Sequence, residues 1–140
     1  MSPAAVLAPV FVQVALTLGL LVALGRVRWR VGREIGIRFE DIALGQDRWP
    51  ELPTKISRAY SNQFEAPTLF YAVVALALAT NLTDRVFVAL EWAYVLLRLA
   101  HAGVHVTSNV VPTRFKLFLA SFAALALLWI WLALRVFGAV

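Results

Sequence analysis

The sequence predicts an all-α integral membrane protein, a four-helix up-down bundle formed as one domain over residues 1–140. Composition is the first observation: 61% of the residues are apolar and 15% are charged, whereas soluble domains carry roughly 25% charged residues. The second is hydropathy, which averages +0.78 and is concentrated in four runs long enough to cross a bilayer. A soluble domain of this size has too much surface for that composition, and intrinsic disorder is excluded too.

The first predicted span covers residues 4–25. No charged side chain occurs in residues 4–24, and at about 1.5 Å per residue this run crosses the roughly 30 Å hydrocarbon core. A cleaved signal peptide is the alternative, but its basic residues would precede the apolar run, and here they follow it. We therefore interpret the run as an uncleaved helix, followed by a polar loop over residues 26–56.

Three further spans are predicted at residues 57–80, 86–107 and 115–137. The connection after the second has the composition of a tight turn, and the next one contains Asn109 and Pro112, which interrupt a helix. Because both connections are short, neighbouring spans should pack antiparallel.

Orientation follows from the basic residues, of which eight of the thirteen lie in residues 26–58. The positive-inside rule places the long loop in the cytoplasm and both termini outside it. Five acidic residues dilute the charge of this segment, which argues against a nucleic-acid surface. Arginine outnumbers lysine eleven to two, a bias typical of GC-rich bacterial genomes, so we expect a bacterial inner membrane.

Ionisable residues inside the predicted spans are the candidates for function. In the second span Arg58, Asn62 and Glu65 are spaced to share one helix face. Each ionisable group at this depth costs roughly 2.5 to 3.5 kcal/mol on insertion scales, so it should face the interior of the bundle. The third span carries a similar stripe, formed by Glu91, Arg98, His101 and His105.

Counting residues from the cytoplasmic ends predicts which side chains of the two stripes meet. Glu65 and Arg98 should lie at one level, roughly 12 to 14 Å inside. Asn62 should match His101, Arg58 should match His105, and Arg114 should close the mouth. One carboxylate cannot neutralise three arginines, so this predicted cavity is positive and suits an anion.

Two alternatives attach to the same residues. The buried Glu and Arg could serve only to neutralise one another and fix the packing of the helices. His101 and His105 have a spacing that metal ligands use, but no third ligand is evident, and no metal site is predicted.

Three motifs together resemble the MAPEG superfamily, the membrane-associated proteins of eicosanoid and glutathione metabolism. They are RxxxNxxE from Arg58 to Glu65, RxxH at Arg98 and His101, and Arg114 after Pro112. The resemblance implies a homotrimer that binds glutathione as co-substrate between protomers and admits a lipophilic substrate from the membrane. Arg114 would then be the catalytic residue that holds the thiolate. The implied glutathione-binding residues are Arg28 from the neighbouring chain, Arg58, Asn62, Glu65, Arg98, His101 and His105.

The function expected from the resemblance is a glutathione-dependent transferase or peroxidase that acts on hydrophobic electrophiles. Three positions depart from the prostaglandin synthase branch: Ser61 replaces an arginine, Phe115 a serine and His105 a tyrosine. They support an alternative, a non-catalytic protein of the same fold that binds a lipid or an anionic ligand. A small multidrug exporter is disfavoured, because its first span needs a carboxylate and this one has only Gln13.

Overall fold

Helices make up nearly all of the described chain, residues 1–42 and 49–138 of a computed structural model. At Phe39 and Asp41 the structure describes the backbone alone. The described residues contain no strand, so the predicted all-α class is confirmed. The helices are α1 (Pro3–Ile35), α2 (Phe39–Ile42), α3 (Glu51–Ser61), α4 (Ala66–Ala79), α5 (Arg85–Val106) and α6 (Val111–Val136), with a 3₁₀ turn at Asn62–Phe64.

Helix α1 extends well beyond the apolar run that predicts it. Ser2 caps its start by accepting the amide of Ala5 at 3.3 Å, and Pro3 occupies the first turn. The helix ends at Gly36, whose φ of 66° lies in the left-handed region that glycine favours. The ten residues after the predicted span include four arginines and Glu34 but remain helical, because charged residues such as arginine are good helix formers.

The segment predicted as the second span is divided between two helices. Helix α3 packs against α1 and buries Pro53, Ile56 and Ala59. At its exposed start Glu51 pairs with Lys55 at 2.5 Å, and the hydrogen bond and charge of Lys55 lower the pKa of Glu51. A 3₁₀ turn follows, and then the 14-residue α4, which at 1.5 Å per residue is about 21 Å long.

Three helices, α1, α5 and α6, are long and apolar enough to cross a membrane. Helix α5 packs antiparallel on α6, and α1 packs on α5. Between them lies an apolar core in which the rings of Phe70 and Tyr94 stack with centroids 4.7 Å apart, beside Leu125 and Leu128. The chain is thus a helical membrane protein whose candidate residues lie at one end of this core.

Candidate functional site

The break between α3 and α4 places Asn62 and Glu65. Glu65 has φ −92° and ψ −104°, outside the helical region, and Pro67 lies in the first turn of α4. A break at membrane depth leaves backbone carbonyls that need donors. Gln63 supplies one through its side-chain amide, which donates to the carbonyl of Ala59 at 2.8 Å, and Thr68 donates its hydroxyl to the carbonyl of Phe64 at 2.9 Å.

Arg98, whose side chain is fully buried, supplies the donor for the next carbonyl. Its Nη2 donates to the carbonyl of Asn62 at 2.9 Å and to Oδ1 of the same residue at 2.7 Å. Its Nε and Nη1 have no hydrogen-bond partner among the described residues. Arg98 therefore joins α5 to the break and keeps two donors unused.

The predicted contact between Glu65 and Arg98 is wrong. Asn62 stands between them: its Nδ2 donates to Oε2 of Glu65 at 3.0 Å, while its oxygens accept from Arg98. Within the described chain the two charged groups make no ion pair. Arg98 contacts Asn62, three residues before the predicted partner Glu65. The prediction assumed that the second span is one continuous helix, whereas the 3₁₀ turn and the break change the rise and direction of the chain.

A cavity of about 210 Å³ opens beside Asn62. His101 and His105 line it with ring centroids 5.7 Å apart in an edge-to-face arrangement, and His101 also lies 6.0 Å from the ring of Phe118. Nδ1 of each histidine has no described hydrogen-bond partner. The complete lining is Asn62, His101, His105, Val111, Arg114, Phe115 and Phe118. The structure thus brings four of the predicted site residues to one cavity.

Arg114 enters this cavity from the start of α6 and is oriented by Asn109. Its Nη1 donates to Oδ1 of Asn109 at 2.5 Å. Asn109 itself has φ 51° and donates its amide to the carbonyl of Val104 at 2.7 Å, which ends α5. Sequence reasoning identified Asn109 only as a helix breaker. Its side-chain amide, five residues before Arg114, was the available signal that it also orients this arginine.

Four predicted binding residues are absent from the cavity lining: Glu65 and Arg98, which are joined to it through Asn62, and Arg58 and Arg28. Arg58 is exposed on α3, one turn before Asn62. Arg28 lies over the ring of Trp49, 5.2 Å from its centroid, and its Nη2 donates to Oγ of Ser57 at 3.2 Å. In this single chain Arg28 therefore contacts its own α3, and its reach into a neighbouring protomer remains a prediction.

A pair of buried glutamines behind Arg98 was missed as part of the site. Gln13 of α1 donates its Nε2 to Oε1 of Gln63 at 2.9 Å, and the same oxygen lies 3.5 Å from Nη2 of Arg98. Gln13 is the one strongly polar residue of the first predicted span, which was the signal available in the sequence. This hydrogen-bonded pair connects α1 to the 3₁₀ turn between α3 and α4.

The charge around the cavity is one-sided. No acidic residue occurs among its lining residues, and Glu65 reaches it only through Asn62. Glu91 of the predicted stripe is fully buried elsewhere, nearly two turns along α5 from Arg98, and neither of its oxygens has a described partner. No group of three potential metal ligands occurs in residues 1–42 and 49–138. The arrangement favours an anionic organic ligand.

A protein-family model covers most of the chain. The model of the MAPEG family matches residues 6–134. No curated protein and no solved structure matches the chain. The matched residues include the 3₁₀ turn, the part of α5 and the part of α6 that line the cavity. This chain therefore belongs to the MAPEG family.

Proposed function

We propose that this membrane protein is a glutathione-dependent transferase or peroxidase for lipophilic electrophiles. The observation that carries the proposal is the cavity in which Asn62, His101, His105 and Arg114 converge with no acidic side chain among the lining residues. Membership of the MAPEG family supports a glutathione-related function for such a cavity. Glutathione carries two carboxylates and an acidic thiol, so it complements the excess of arginine.

The volume of the cavity supports a site shared between protomers. Small-molecule sites usually measure roughly 300 to 1,000 Å³, whereas this one measures about 210 Å³. One chain thus supplies a part of such a site, and a neighbouring protomer of a homotrimer would supply the rest. Arg28 of α1, whose side chain contacts Ser57 of α3, is the candidate contribution from that neighbour.

The roles proposed for the individual residues are those that the family resemblance implies, combined with their contacts in the structure. Glu65 accepts the amine of glutathione, and Arg58, exposed one turn earlier, binds a carboxylate. Arg98 positions Asn62 through the two hydrogen bonds already described. Arg114, oriented by Asn109, stabilises the thiolate once its proton has left.

The proposed chemistry has two variants that use the same thiolate. With an electrophilic carbon the sulfur forms a C–S bond and the leaving group departs as an anion. With a hydroperoxide the sulfur attacks the O–O bond, giving an alcohol and a sulfenic acid. A second glutathione then reduces the sulfenic acid, releasing water and glutathione disulfide.

The test compares Arg114→Ala with Lys116→Ala in purified protein. Lys116 is an exposed cation on the same turn of α6 and does not line the cavity, so it is a matched control. With glutathione and either a chlorinated nitroaromatic or a lipid hydroperoxide, we expect Arg114→Ala to lower kcat by about 10²-fold or more, as loss of one transition-state donor does. Lys116→Ala should retain the wild-type rate.

Thermal unfolding in detergent tests binding separately. Glutathione that binds only the folded state at 100 times its Kd stabilises it by about 2.7 kcal/mol, which raises the midpoint. S-methylglutathione should raise the midpoint too while supporting no turnover. A wild-type protein that neither shifts nor reacts with either substrate class would end the proposal.

A second function is favoured by Phe115, whose side chain is 61% exposed and lines the cavity. An aromatic group there provides apolar surface for a lipid without providing a donor for catalysis. The protein would then bind a lipid or an anionic ligand without chemistry. A ligand that copurifies with the protein, together with no glutathione-dependent turnover, would favour this function over the first.

A further inference from the structure

Gln13 is the one strongly polar side chain in the uncharged run of α1, residues 4–24, and it is fully buried. Its Nε2 donates to Oε1 of Gln63 at 2.9 Å, whereas its own Oε1 has no hydrogen-bond partner among the described residues. Burial of an unpaired polar atom is unfavourable, and an apolar side chain would fill the same space without that cost. The donor half of the Gln13 amide is therefore the part that needs a reason.

The side chain of Gln63 is held in one orientation by its contacts. Its Nε2 donates to the carbonyl of Ala59 at 2.8 Å, and a carbonyl oxygen can only accept. A reversed amide would place two oxygens against one another there, so Oε1 has to face Gln13 and Arg98. Because Gln63 is also buried, this oxygen depends on neighbouring side chains for its donors.

Arg98 faces more acceptors than one of its nitrogens can serve. Its Nη2 carries two hydrogens, and three oxygens lie within reach of it. They are the carbonyl of Asn62 at 2.9 Å, Oδ1 of Asn62 at 2.7 Å and Oε1 of Gln63 at 3.5 Å. The two short bonds use both hydrogens, so the contact with Gln63 is the weakest of the three. Gln13 permits this division, because it gives Gln63 the donor that Arg98 does not supply.

Removal of the Gln13 donor changes the balance at Nη2. Oε1 of Gln63 would keep Arg98 as its remaining described donor, and a buried acceptor left unpaired is costly. A shift of the guanidinium towards Gln63 would satisfy this oxygen at the expense of a bond to Asn62. The Asn62 side chain could then turn, and its Nδ2, which donates to Glu65 at 3.0 Å, would no longer hold that carboxylate.

We propose that Gln13 is a positioning residue of the glutathione site, which keeps Arg98 on Asn62 and thereby places Glu65 for the amine of the ligand. Gln13 does not line the cavity and acts through Gln63. The proposal rests on the proposed function for the identity of the ligand, and it adds a dependence of affinity on α1. The alternative is that Gln13 only fills space beside the 3₁₀ turn.

The experiment measures the Kd of glutathione and of N-acetylglutathione by calorimetry in detergent, for the wild type and for Gln13→Met. Methionine has a similar length and no donor. We expect Gln13→Met to weaken glutathione about tenfold, which corresponds to roughly 1.4 kcal/mol. N-acetylglutathione lacks the charged amine, so its Kd should hardly change between the two proteins. A loosened fold would instead weaken both ligands alike.

Gln13→Glu separates the donor from the shape of the side chain. Glutamate has the shape of glutamine, but an ionised carboxylate only accepts, so it repels Oε1 of Gln63 and attracts Arg98. We expect the affinity for glutathione to fall at least as far as in Gln13→Met. If Gln13 only fills space, Gln13→Glu should lie closer to the wild type than Gln13→Met does.

Turnover gives an independent readout of the same role. Gln13→Met should raise KM for glutathione and leave kcat at saturation unchanged, because the pair of Arg114 and Asn109 is separate from this network. A fall in kcat at an unchanged KM would contradict the positioning of Glu65.

A second-site variant and a matched control complete the set. Gln63→Met removes the acceptor that competes for Arg98, so the double variant with Gln13→Met should bind glutathione more tightly than Gln13→Met alone. Ser121 is another buried polar residue, but its hydroxyl donates to the carbonyl of Phe118 in its own helix at 2.8 Å. Ser121→Ala should leave both affinities unchanged.

The outcomes distinguish this proposal from the proposed function. A wild type that binds neither ligand contradicts the proposed function and the positioning role together. If the wild type binds glutathione and Gln13→Met binds it equally well, or loses both ligands to the same extent, the positioning role alone is wrong. If N-acetylglutathione binds too weakly to measure, the double variant decides, and without recovery there the proposal fails.

Discussion

Asn62 connects Arg98 to Glu65 in the candidate site. Its backbone and side-chain oxygens accept from Arg98, and its side-chain nitrogen donates to Glu65. A hydrogen bond to a charged group contributes roughly 1.5 to 3 kcal/mol. Without the Asn62 side chain, Nη2 of Arg98 would keep the backbone carbonyl at 2.9 Å and lose its shorter acceptor.

Replacement of Asn62 tests this role in stability. Asn62→Ala removes the 2.7 Å acceptor of Arg98, so we expect the free energy of unfolding to fall by about 2 kcal/mol. The measurement is the thermal midpoint in detergent without glutathione. Ser61→Ala, at the exposed neighbouring position, should leave the midpoint unchanged. Equal midpoints for Asn62→Ala and the wild type would show that Arg98 is satisfied without this side chain.

Replacement of Glu91 should raise stability, in contrast to replacement of Asn62. Glu91 is fully buried, and its two oxygens have no described partner. Burial of a polar group without a hydrogen bond costs roughly 1 to 3 kcal/mol in proteins. Glu91→Leu should therefore raise the midpoint, whereas Glu34→Leu, at an exposed position of α1, should not. A lower midpoint for Glu91→Leu would indicate that the carboxyl binds something the cell supplies.

At the scale of elements, hydropathy predicted where apolar helices lie better than where helices end. It located both ends of α5 and the end of α6 within one residue, whereas α6 begins at Val111, four residues before the predicted start. It ended the first span at residue 25, although α1 continues to Gly36, since charge limits burial in lipid but not helix formation. The break at Glu65 had a local signal only in Pro67.

Asp84 is the N-cap residue of α5. Asp84 caps the helix by accepting the amide of Phe87 at 2.8 Å, and its two oxygens accept Nε1 of Trp131 at 3.2 and 3.1 Å. Arg135 lies 3.6 Å away as a partly exposed ion-pair partner. Asp84 therefore caps the start of α5 and joins that end of the helix to α6.

Three variants separate these contributions. Asp84→Ala loses the cap and the tryptophan bond, so unfolding should become easier by about 1 to 2 kcal/mol. Asp84→Asn keeps an oxygen for both donors, and we expect less than half of that loss. Arg135→Gln should change stability by less than about 1 kcal/mol, because exposed ion pairs contribute little. Equal losses for Asp84→Asn and Asp84→Ala would assign the effect to charge instead.

For the whole molecule, the sequence predicted several residues that line the cavity. It predicted less well which pairs of these side chains form hydrogen bonds or ion pairs. Asn62, His101, His105 and Arg114 converge because each lies near the same end of its helix, and residue counting captures that level. The pairing of Glu65 with Arg98 failed because the helix breaks at Glu65, and Asn62 takes the contact with Arg98 instead. The role of Asn109 needed the tertiary arrangement, since its partner comes from the start of another helix.

The orientation of the bundle gives the last prediction, and the absence of cysteine makes it direct to test. Ser108 and Phe137 are exposed at opposite ends of α6, whose 26 residues are about 39 Å long. By the positive-inside rule Phe137 lies outside the cytoplasm and Ser108 inside it. An impermeant maleimide should therefore label Phe137→Cys in spheroplasts and Ser108→Cys only in inverted vesicles, while both react in detergent. The reverse pattern would place the basic loop outside, and labelling of both from one side would mean that α6 does not cross the membrane.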